Sequence, residues 1–279
     1  MLLAATGLLW WNLRGGDTTQ GLSPVGSDDP GVAHVHGLGI DPADGTLYAA
    51  THHGMFRIPA TGKATRVANR YQDTMGFTVV GPHRFLGSGH PDLRENKPSR
   101  LGLIESTDAG QTWRTLSLSG QADFHGLEYR HGRVYGFDSG GGGFMVSTDK
   151  RTWDRRSQLP MADFAVSPAD PDVVIATTEQ GVARSSDGGR KFTVIPGAPQ
   201  PMLVSWPAAG VLIGATELGA VLSSTDGGRT WSARGRIEGA PEALTATDAD
   251  NVYAATDRGI FASTDGGRTF RLRYRSASG

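Results

Sequence analysis

Hydrophobic and polar positions along this chain repeat in units of about forty residues, with no helical period. Each unit has a short apolar segment, a turn, a strand of small apolar residues, a glycine turn and a third strand that ends at a Ser-x-Asp turn. The clearest small-residue strands are residues 46–51, 173–178, 211–216 and 251–256. Four short strands per unit predict an all-β fold built from propeller blades.

The turn that ends the third strand is the most specific signal. Its full form runs from Ser224 to Trp231 (STDGGRTW), copies begin at Ser106, Ser185 and Ser263, and a shortened copy begins at Ser147. Ser and Asp accept backbone N–H groups in such a turn, and glycine supplies a positive φ. A carboxylate bound to turn amides is a poor acid or base, so we interpret these aspartates as structural. They are Asp108, Asp149, Asp187, Asp226 and Asp265.

The motif is similar to the Asp-box (BNR) repeat, S-x-D-x-G-x-T-W, of sialidase-like and sortilin-like β-propellers. Over residues 32–275 the chain resembles small exported bacterial proteins labelled glycosyl hydrolase or exo-α-sialidase. The resemblance implies a propeller with its Asp-box turns on the face away from the active site. We predict six four-stranded antiparallel blades, at 32–68, 71–118, 121–157, 160–196, 198–235 and 240–275, of which the first lacks an Asp box. Such a fold does not by itself specify a function.

Composition narrows the functional classes. The 279 residues include no cysteine, which excludes disulfides, thiolate nucleophiles and thiolate metal ligands. The formal net charge of −1 gives no reason to expect nucleic acid as a partner. Residues 1–14 are mostly apolar and residues 15–31 are rich in small and polar residues. We interpret them as a signal-anchor and a flexible linker, which predicts an exported protein tethered to a membrane only through its N-terminus. A buried helix of the fold is the alternative for the first segment.

The candidate site comes from alignment of the six predicted innermost strands. One position near the mouth of the central channel is assigned to His36, Met75, His125, Phe164, Met202 and Ala243. The turns between the second and third strands open on the same face and carry His52, His53 and His90, while His34 is two residues before His36 on the predicted strand, so both side chains can reach the site. His83 and His131 are expected on the opposite face, without a role.

Histidine and methionine without cysteine suit a soft or borderline metal ion, copper first and zinc second. We predict a metal site from His36, Met75, His125 and Met202, with His34, His52, His53 and His90 as supporting or alternative ligands. A narrower site from the first three blades, with His36, His125 and a turn histidine, is the fallback. Other candidates on the same face are Asp138, Glu179, Glu217 and Asp257.

Two other functions stay open, a glycoside hydrolase and a protein-interaction scaffold. Phe56 to Pro59 resembles the Phe/Tyr-Arg-Ile-Pro motif of sialidases, whose arginine binds the substrate carboxylate. Arg57, however, falls on a predicted third strand, and the innermost positions supply no arginine. We therefore expect no sialidase activity. Other glycosidases need two flanking carboxylates, which Asp163, Glu242 and the four acidic residues above could supply.

Overall fold

The computed structural model describes Asp29 and residues 31–276 of the chain. These residues form β-strands in six four-stranded antiparallel sheets, which confirms the predicted six-bladed β-propeller. The predicted anchor, and the linker apart from Asp29 and Gly31, lie outside the described residues. Within the part of the chain that is described, no helix is long and apolar enough to span a bilayer.

Each blade consists of four consecutive strands, in the order innermost to outermost. The first three blades are β1 Val35–Ile40, β2 Leu47–Thr51, β3 Gly54–Ile58, β4 Thr65–Arg66; β5 Asp73–Gly81, β6 Arg84–His90, β7 Leu103–Ser106, β8 Arg114–Ser117; and β9 Phe124–Arg130, β10 Arg133–Asp138, β11 Gly143–Ser147, β12 Asp154–Gln158. The last three are β13 Asp163–Val166, β14 Val174–Thr178, β15 Gly181–Ser185, β16 Thr193–Val194; β17 Leu203–Ala208, β18 Val211–Ala215, β19 Ala220–Ser224, β20 Ser232–Arg236; and β21 Pro241–Ala246, β22 Val252–Thr256, β23 Gly259–Ser263, β24 Arg271–Arg275.

The second strands show why the chain folds this way. All five residues of β2 and of β14 are buried, because a blade is covered by a neighbour on both faces. Small and β-branched side chains suit this position, since two sheets must approach closely. The outer strands β12 and β24 are instead largely exposed and carry arginines, which suits a sheet edge that must not pair with another chain.

The hydrophobic core is divided among the blade junctions. One apolar cluster joins blades one and two through Tyr48, Phe77 and Phe85, and another joins blades three and four through Phe144 and Phe164. Corresponding clusters occupy the other four junctions. The innermost strands contact each other in sequence from β1 through β5, β9, β13, β17 and β21, and β21 contacts β1. Packing therefore closes the ring, and among the described residues no blade borrows a strand from another.

A second type of interaction links every pair of adjacent blades. A side-chain oxygen of one blade accepts a hydrogen bond from a backbone N–H of the next. We call these the junction bonds. They join Asp41 to His83 (3.1 Å), Ser88 to Phe124 (3.0 Å), Glu128 to Val166 (2.8 Å), Asp163 to Val204 (2.9 Å), Ser205 to Ala246 (3.0 Å) and Glu242 to Val35 (3.0 Å). Each bond satisfies an amide that the blade's own sheet leaves unpaired.

The turns with the Asp-box sequence pattern, for which we keep the name Asp-box turns, lie between the third and fourth strands of blades two to six, as predicted. In the turn after β19, Ser224 Oγ accepts the N–H of Gly228 at 2.8 Å and Asp226 Oδ1 accepts the N–H of Thr230 at 2.9 Å. The indole N–H of Trp231 donates to the carbonyl of Gly228 at 2.9 Å. The aspartates are thus used by the turn itself.

Candidate metal centre

The histidines gather at one end of the blades, which we call the His face. It consists of the starts of the innermost strands and the turns between second and third strands. Because successive strands are antiparallel, the Asp-box turns lie at the opposite end. His83 and His131 are also at that opposite end, in the turns that follow β5 and β9. The predicted separation of six histidines from two is confirmed.

Strand register corrects two of the six channel-mouth residues. In blade one His36 precedes Gly37, which pairs with Ala50. Ala243 pairs with Ala255, the equivalent of Ala50, so it corresponds to Gly37; Phe164 pairs with Ala176, the equivalent of Ala49, so it corresponds to Leu38. The assignment of Phe164 and Ala243 was therefore wrong. The channel-mouth position is occupied by His36, Met75, His125, Ala162, Met202 and Glu242.

An irregularity in the backbone of the innermost strand explains why Ala243 is displaced from the channel-mouth position. The pairing register breaks at His36, Met75, His125 and Glu242, where two residues of the innermost strand oppose one of the second strand. Such β-bulges redirect a side chain and are common beside functional sites. In blade four β13 pairs with β14 in continuous register, and Phe164 lies in the junction, where it makes an edge-to-face contact with Phe144 at a centroid distance of 5.1 Å.

The most compact donor group lies where blades one and two meet. His36, His52 and Asp73 each present one ligand atom, and these atoms all lie within 4.8 Å of one another. His52 Nδ1 is 3.0 Å from Asp73 Oδ2, and His36 Nε2 is 3.6 Å from Asp73 Oδ1. The rings of His36 and His52 meet edge to face at a centroid distance of 4.4 Å. We call this group the first cluster.

Electrostatics around the first cluster favour a cation. The hydrogen bond to Asp73 raises the pKa of His52, whereas burial lowers the pKa of His53. Buried Asp73 Oδ1 has no hydrogen-bond partner among the described residues. A buried acceptor without a partner is costly, and an ion is one of the few explanations for it.

The first cluster borders a cleft of about 370 Å³ at the junction of blades six and one. His34 and Glu242 line this cleft, and the His34 ring contacts the His52 ring at a centroid distance of 5.3 Å. Burial raises the pKa of Glu242. His34 therefore lies between the cleft and the first cluster.

A second group of the same kind lies where blades two and three meet. Asp123 Oδ2 is 3.0 Å from His125 Nε2 and 3.6 Å from His90 Nε2. We call His90, Asp123 and His125 the second cluster. Burial opposes ionisation of Asp123, but the hydrogen bond from His125 and the charges of His125 and His90 outweigh it and lower the pKa of Asp123. The structure thus separates His36 from His125, which the predicted four-ligand site had combined.

The remaining candidates lie on the His face but outside both clusters. Met75 is buried and Met202 is partly buried. Glu179, Glu217 and Asp257 are exposed in turns between second and third strands. Buried Asp138 accepts the N–H of Asp123 at 2.9 Å, so it fixes the backbone of a residue of the second cluster.

Sequence reasoning missed the two carboxylates that hold the clusters together, Asp73 and Asp123. A signal for them exists in the sequence. Each stands two residues before the channel-mouth residue of its blade, in Asp-Thr-Met-Gly and Asp-Phe-His-Gly. Alignment of blades two and three at their innermost strands would have paired them.

Comparison with known proteins shows the fold but no family. No protein-family model matches this sequence, and no curated protein matches it either. A GH74 xyloglucanase from Xanthomonas campestris is similar in structure, with a TM-score of 0.56, 16% identity and coverage of 87% of this chain and 45% of the enzyme. The chain therefore spans less than half the length of that xyloglucanase.

Two further structures resemble the chain over most of both lengths. A chain from a nidogen/laminin complex gives a TM-score of 0.61 at 11% identity, covering 82% of this chain and 95% of that one. YCF48 bound to D1 peptide gives a TM-score of 0.55 at 14% identity, covering 88% and 82%. At these identities the similarity shows that the chain shares the β-propeller fold of a glycoside hydrolase and of proteins solved with protein or peptide partners.

Proposed function

We propose that this protein is an exported propeller that binds a transition-metal ion on its His face, copper first and zinc second, as a binding or metal-handling module. One observation carries the proposal: His36, His52 and Asp73 bring two imidazoles and a carboxylate within 4.8 Å of one another. The three residues come from two blades and converge only when the ring is assembled. Export is supported by the apolar segment at residues 1–14.

The donor set decides the order of the metals. Imidazole nitrogen and carboxylate oxygen suit divalent zinc and divalent copper, and affinity for such sites rises to copper and then falls at zinc. Monovalent copper would instead need the thioethers of Met75 and Met202. Divalent copper is therefore the first candidate for this cluster.

The geometry is close to that of a bound ion. Bonds of about 2.0–2.2 Å to one ion place neighbouring ligand atoms roughly 3.0–3.5 Å apart. The distances from Asp73 Oδ2 to His52 and from Asp73 Oδ1 to His36, 3.0 and 3.6 Å, are near that spacing, so small side-chain movements would bring the three groups to one ion. An ion would replace the proton between His52 and Asp73 and satisfy Asp73 Oδ1.

Isothermal titration of protein purified without a His-tag tests the proposal. We expect Cu²⁺ and Zn²⁺ to bind with a Kd below about 1 µM, and the His36→Ala/His52→Ala variant to lose that binding event. Asp73→Asn keeps the shape of the side chain but removes its charge, and should also lose it. His131→Asn, on the opposite face, is the matched control. Binding unchanged in the double variant, or absent in the parent protein, would refute the proposal.

A glycoside hydrolase is less well supported. Glu242 is at the channel-mouth position and Asp163 is one residue beyond it in blade four, and both accept junction bonds. Arg57 is exposed on β3 and lies 5.8 Å from the centroid of the Tyr48 ring, so it serves the blade rather than the channel mouth. A protein-interaction scaffold is the other alternative, suggested by neighbours solved in a nidogen/laminin complex and with a D1 peptide.

A further inference from the structure

We propose that the second cluster, His90, Asp123 and His125, is a second cation site, which takes one divalent zinc or copper ion independently of the first. This goes beyond the proposed function, which requires the first cluster alone.

The first argument for this site is the tautomer of His90. Its Nδ1 is 2.7 Å from the carbonyl oxygen of Ser99, and a carbonyl can only accept a hydrogen bond. Nδ1 therefore carries a proton, and the neutral ring has its lone pair on Nε2. That lone pair faces Asp123 Oδ2 at 3.6 Å. A lone pair opposite a carboxylate needs a positive charge between them, either a proton or a metal ion.

The second step is the surplus of acceptors on Asp123. The residue is 7% exposed, and its Oδ2 interacts with His125 at 3.0 Å and Ser139 Oγ at 3.4 Å. Its Oδ1 is buried and has no hydrogen-bond partner among the described residues. A buried carboxylate with an unused oxygen is a strong ligand for a cation.

The third step is preorganisation. Asp138 accepts the N–H of Asp123 at 2.9 Å, and Ser88 accepts the N–H of Phe124 at 3.0 Å. These bonds fix the backbone on both sides of the carboxylate. The bond from His90 to a backbone carbonyl is the arrangement that orients metal-binding histidines in many proteins.

The fourth step is the likeness of the two clusters. Asp73 and Asp123 occupy equivalent positions at the starts of the innermost strands of blades two and three, each two residues before the channel-mouth residue. Each faces a histidine at the end of the preceding blade's second strand, His52 or His90. The two clusters are adjacent, because Asp73 and His90 are cross-strand partners in blade two.

The two clusters differ in the distances among their three ligand groups. The described residues include one group of three donors within 4.8 Å, and it is the first cluster. In the second cluster the two histidines approach Asp123 separately, so one of them must turn to share an ion. His90, whose side chain is 43% exposed, has room to do so. We therefore expect the second cluster to bind more weakly than the first.

Titration of the full chain with Zn²⁺ and with Cu²⁺ tests the second site by stoichiometry. We expect two ions per chain in the parent protein. The His90→Gln/His125→Gln variant should bind one ion with the higher affinity, and the His36→Ala/His52→Ala variant should bind one with the lower affinity. His131→Asn should still bind two. Circular dichroism melting checks that each variant is folded, and His125→Asn replaces the Gln variant if that one is not.

The outcomes separate the two proposals. One ion per chain, lost on substitution of His36 and His52 alone, overturns the second site and leaves the proposed function standing. One ion, lost on substitution of His90 and His125 alone, does the reverse. Two ions that survive substitution of His90 and His125 also overturn the second site. Electron paramagnetic resonance of the Cu²⁺-loaded His36→Ala/His52→Ala variant should show nitrogen hyperfine splitting, and its absence would count against the second site.

Discussion

At the scale of single residues, chemistry separates the aspartates of this chain into two kinds. Those of the Asp-box turns are saturated with donors, as at Asp226, which accepts N–H and O–H groups from Thr230 at 2.9 and 2.7 Å. Asp73 and Asp123 each keep one buried oxygen without a hydrogen bond. Saturated carboxylates hold a turn, and unsaturated ones are available to a ligand.

The turn role predicts the effect of Asp226→Ala. The substitution leaves turn amides without an acceptor and should lower the free energy of unfolding by about 1–3 kcal/mol. The hydrogen bonds from Thr230 lower the pKa of Asp226 from 3.8 to about 2. Its contribution is therefore present above pH 4 and is lost as the pH falls through about 2.

Urea unfolding of the parent protein and of Asp226→Ala, at pH 7 and near pH 2, measures this contribution. The difference between the two proteins should be largest at pH 7 and nearly vanish at the acid end. Thr225→Ala, an exposed neighbour in the same turn, is the control. Metal binding should be unaffected, since the turn lies on the opposite face. A difference that grows in acid would contradict this account.

At the scale of strands, the two clusters depend on irregular backbone. Gly89, the residue before the last of β6, has a φ of +129°, and a Cβ there would lie 2.2 Å from the carbonyl oxygen of Asp73. This close approach brings β6 against the start of β5, beside the bulge at Met75. A glycine at this point therefore sets the position of Asp73 relative to His90.

Gly89→Ala should destabilise the protein and weaken metal binding at the same time. The φ alone costs about 1–3 kcal/mol for alanine, and displacement of the Asp73 backbone adds to it. Gly142→Ala is a matched control, because Gly142 also has a positive φ of +62° but its Cβ would meet nothing within 4 Å. Thermal unfolding and titration should show a larger loss for Gly89→Ala. Equal losses in the two variants would show that backbone strain alone matters.

Irregular backbone also limits what could be predicted from the sequence. The repeat of Asp-box turns predicts the blades, their number and the face of the histidines, because each turn depends on a few neighbouring residues. The assignment of Phe164 and Ala243 to the channel mouth follows their apolar pattern, but a bulge at Glu242 displaces Ala243 by one residue, and Phe164 pairs two residues beyond the channel-mouth position. Asp73 and Asp123 were missed because their partners belong partly to the preceding blade, and contacts between blades leave no local pattern.

At the scale of the molecule, a ring of six junction bonds and six apolar clusters makes the blades interdependent. The last junction has no shared strand, so Glu242 and Val35 close the ring together with the apolar cluster of blades six and one. The same glutamate lines the cleft at this junction, together with His34. One side chain therefore contributes both to closure of the ring and to the cleft beside the first cluster.

Substitutions of Glu242 should separate the effect of its hydrogen-bond acceptor from the effect of its charge. Glu242→Ala removes the acceptor for the Val35 amide and should cost about 1–3 kcal/mol. Burial raises the pKa of Glu242 above 4.5, so its contribution is greatest below pH 4.5 and declines as the pH rises through the raised pKa. Glu242→Gln keeps an acceptor without the charge and should be at least as stable as the parent at pH 7.

Urea unfolding at pH 4 and pH 7 measures these effects, with the exposed neighbour Glu238→Ala as the control. Amide exchange of β1 should rise in Glu242→Ala more than exchange of β13. Unchanged stability of Glu242→Ala would mean that apolar packing closes the ring without the junction bond.

The lack of a shared strand has a consequence for how this chain can be rearranged. Every blade is a continuous segment, and the first and last described blades are in contact, with Ser276 Oγ donating to the carbonyl of Val32 at 3.2 Å. A short linker across this contact, combined with new termini between any two blades, would cut no sheet. Circular permutants opened between blades four and five should therefore fold with both clusters intact. The clusters require only that blades one to three are neighbours, and this arrangement does not depend on the position of the new termini.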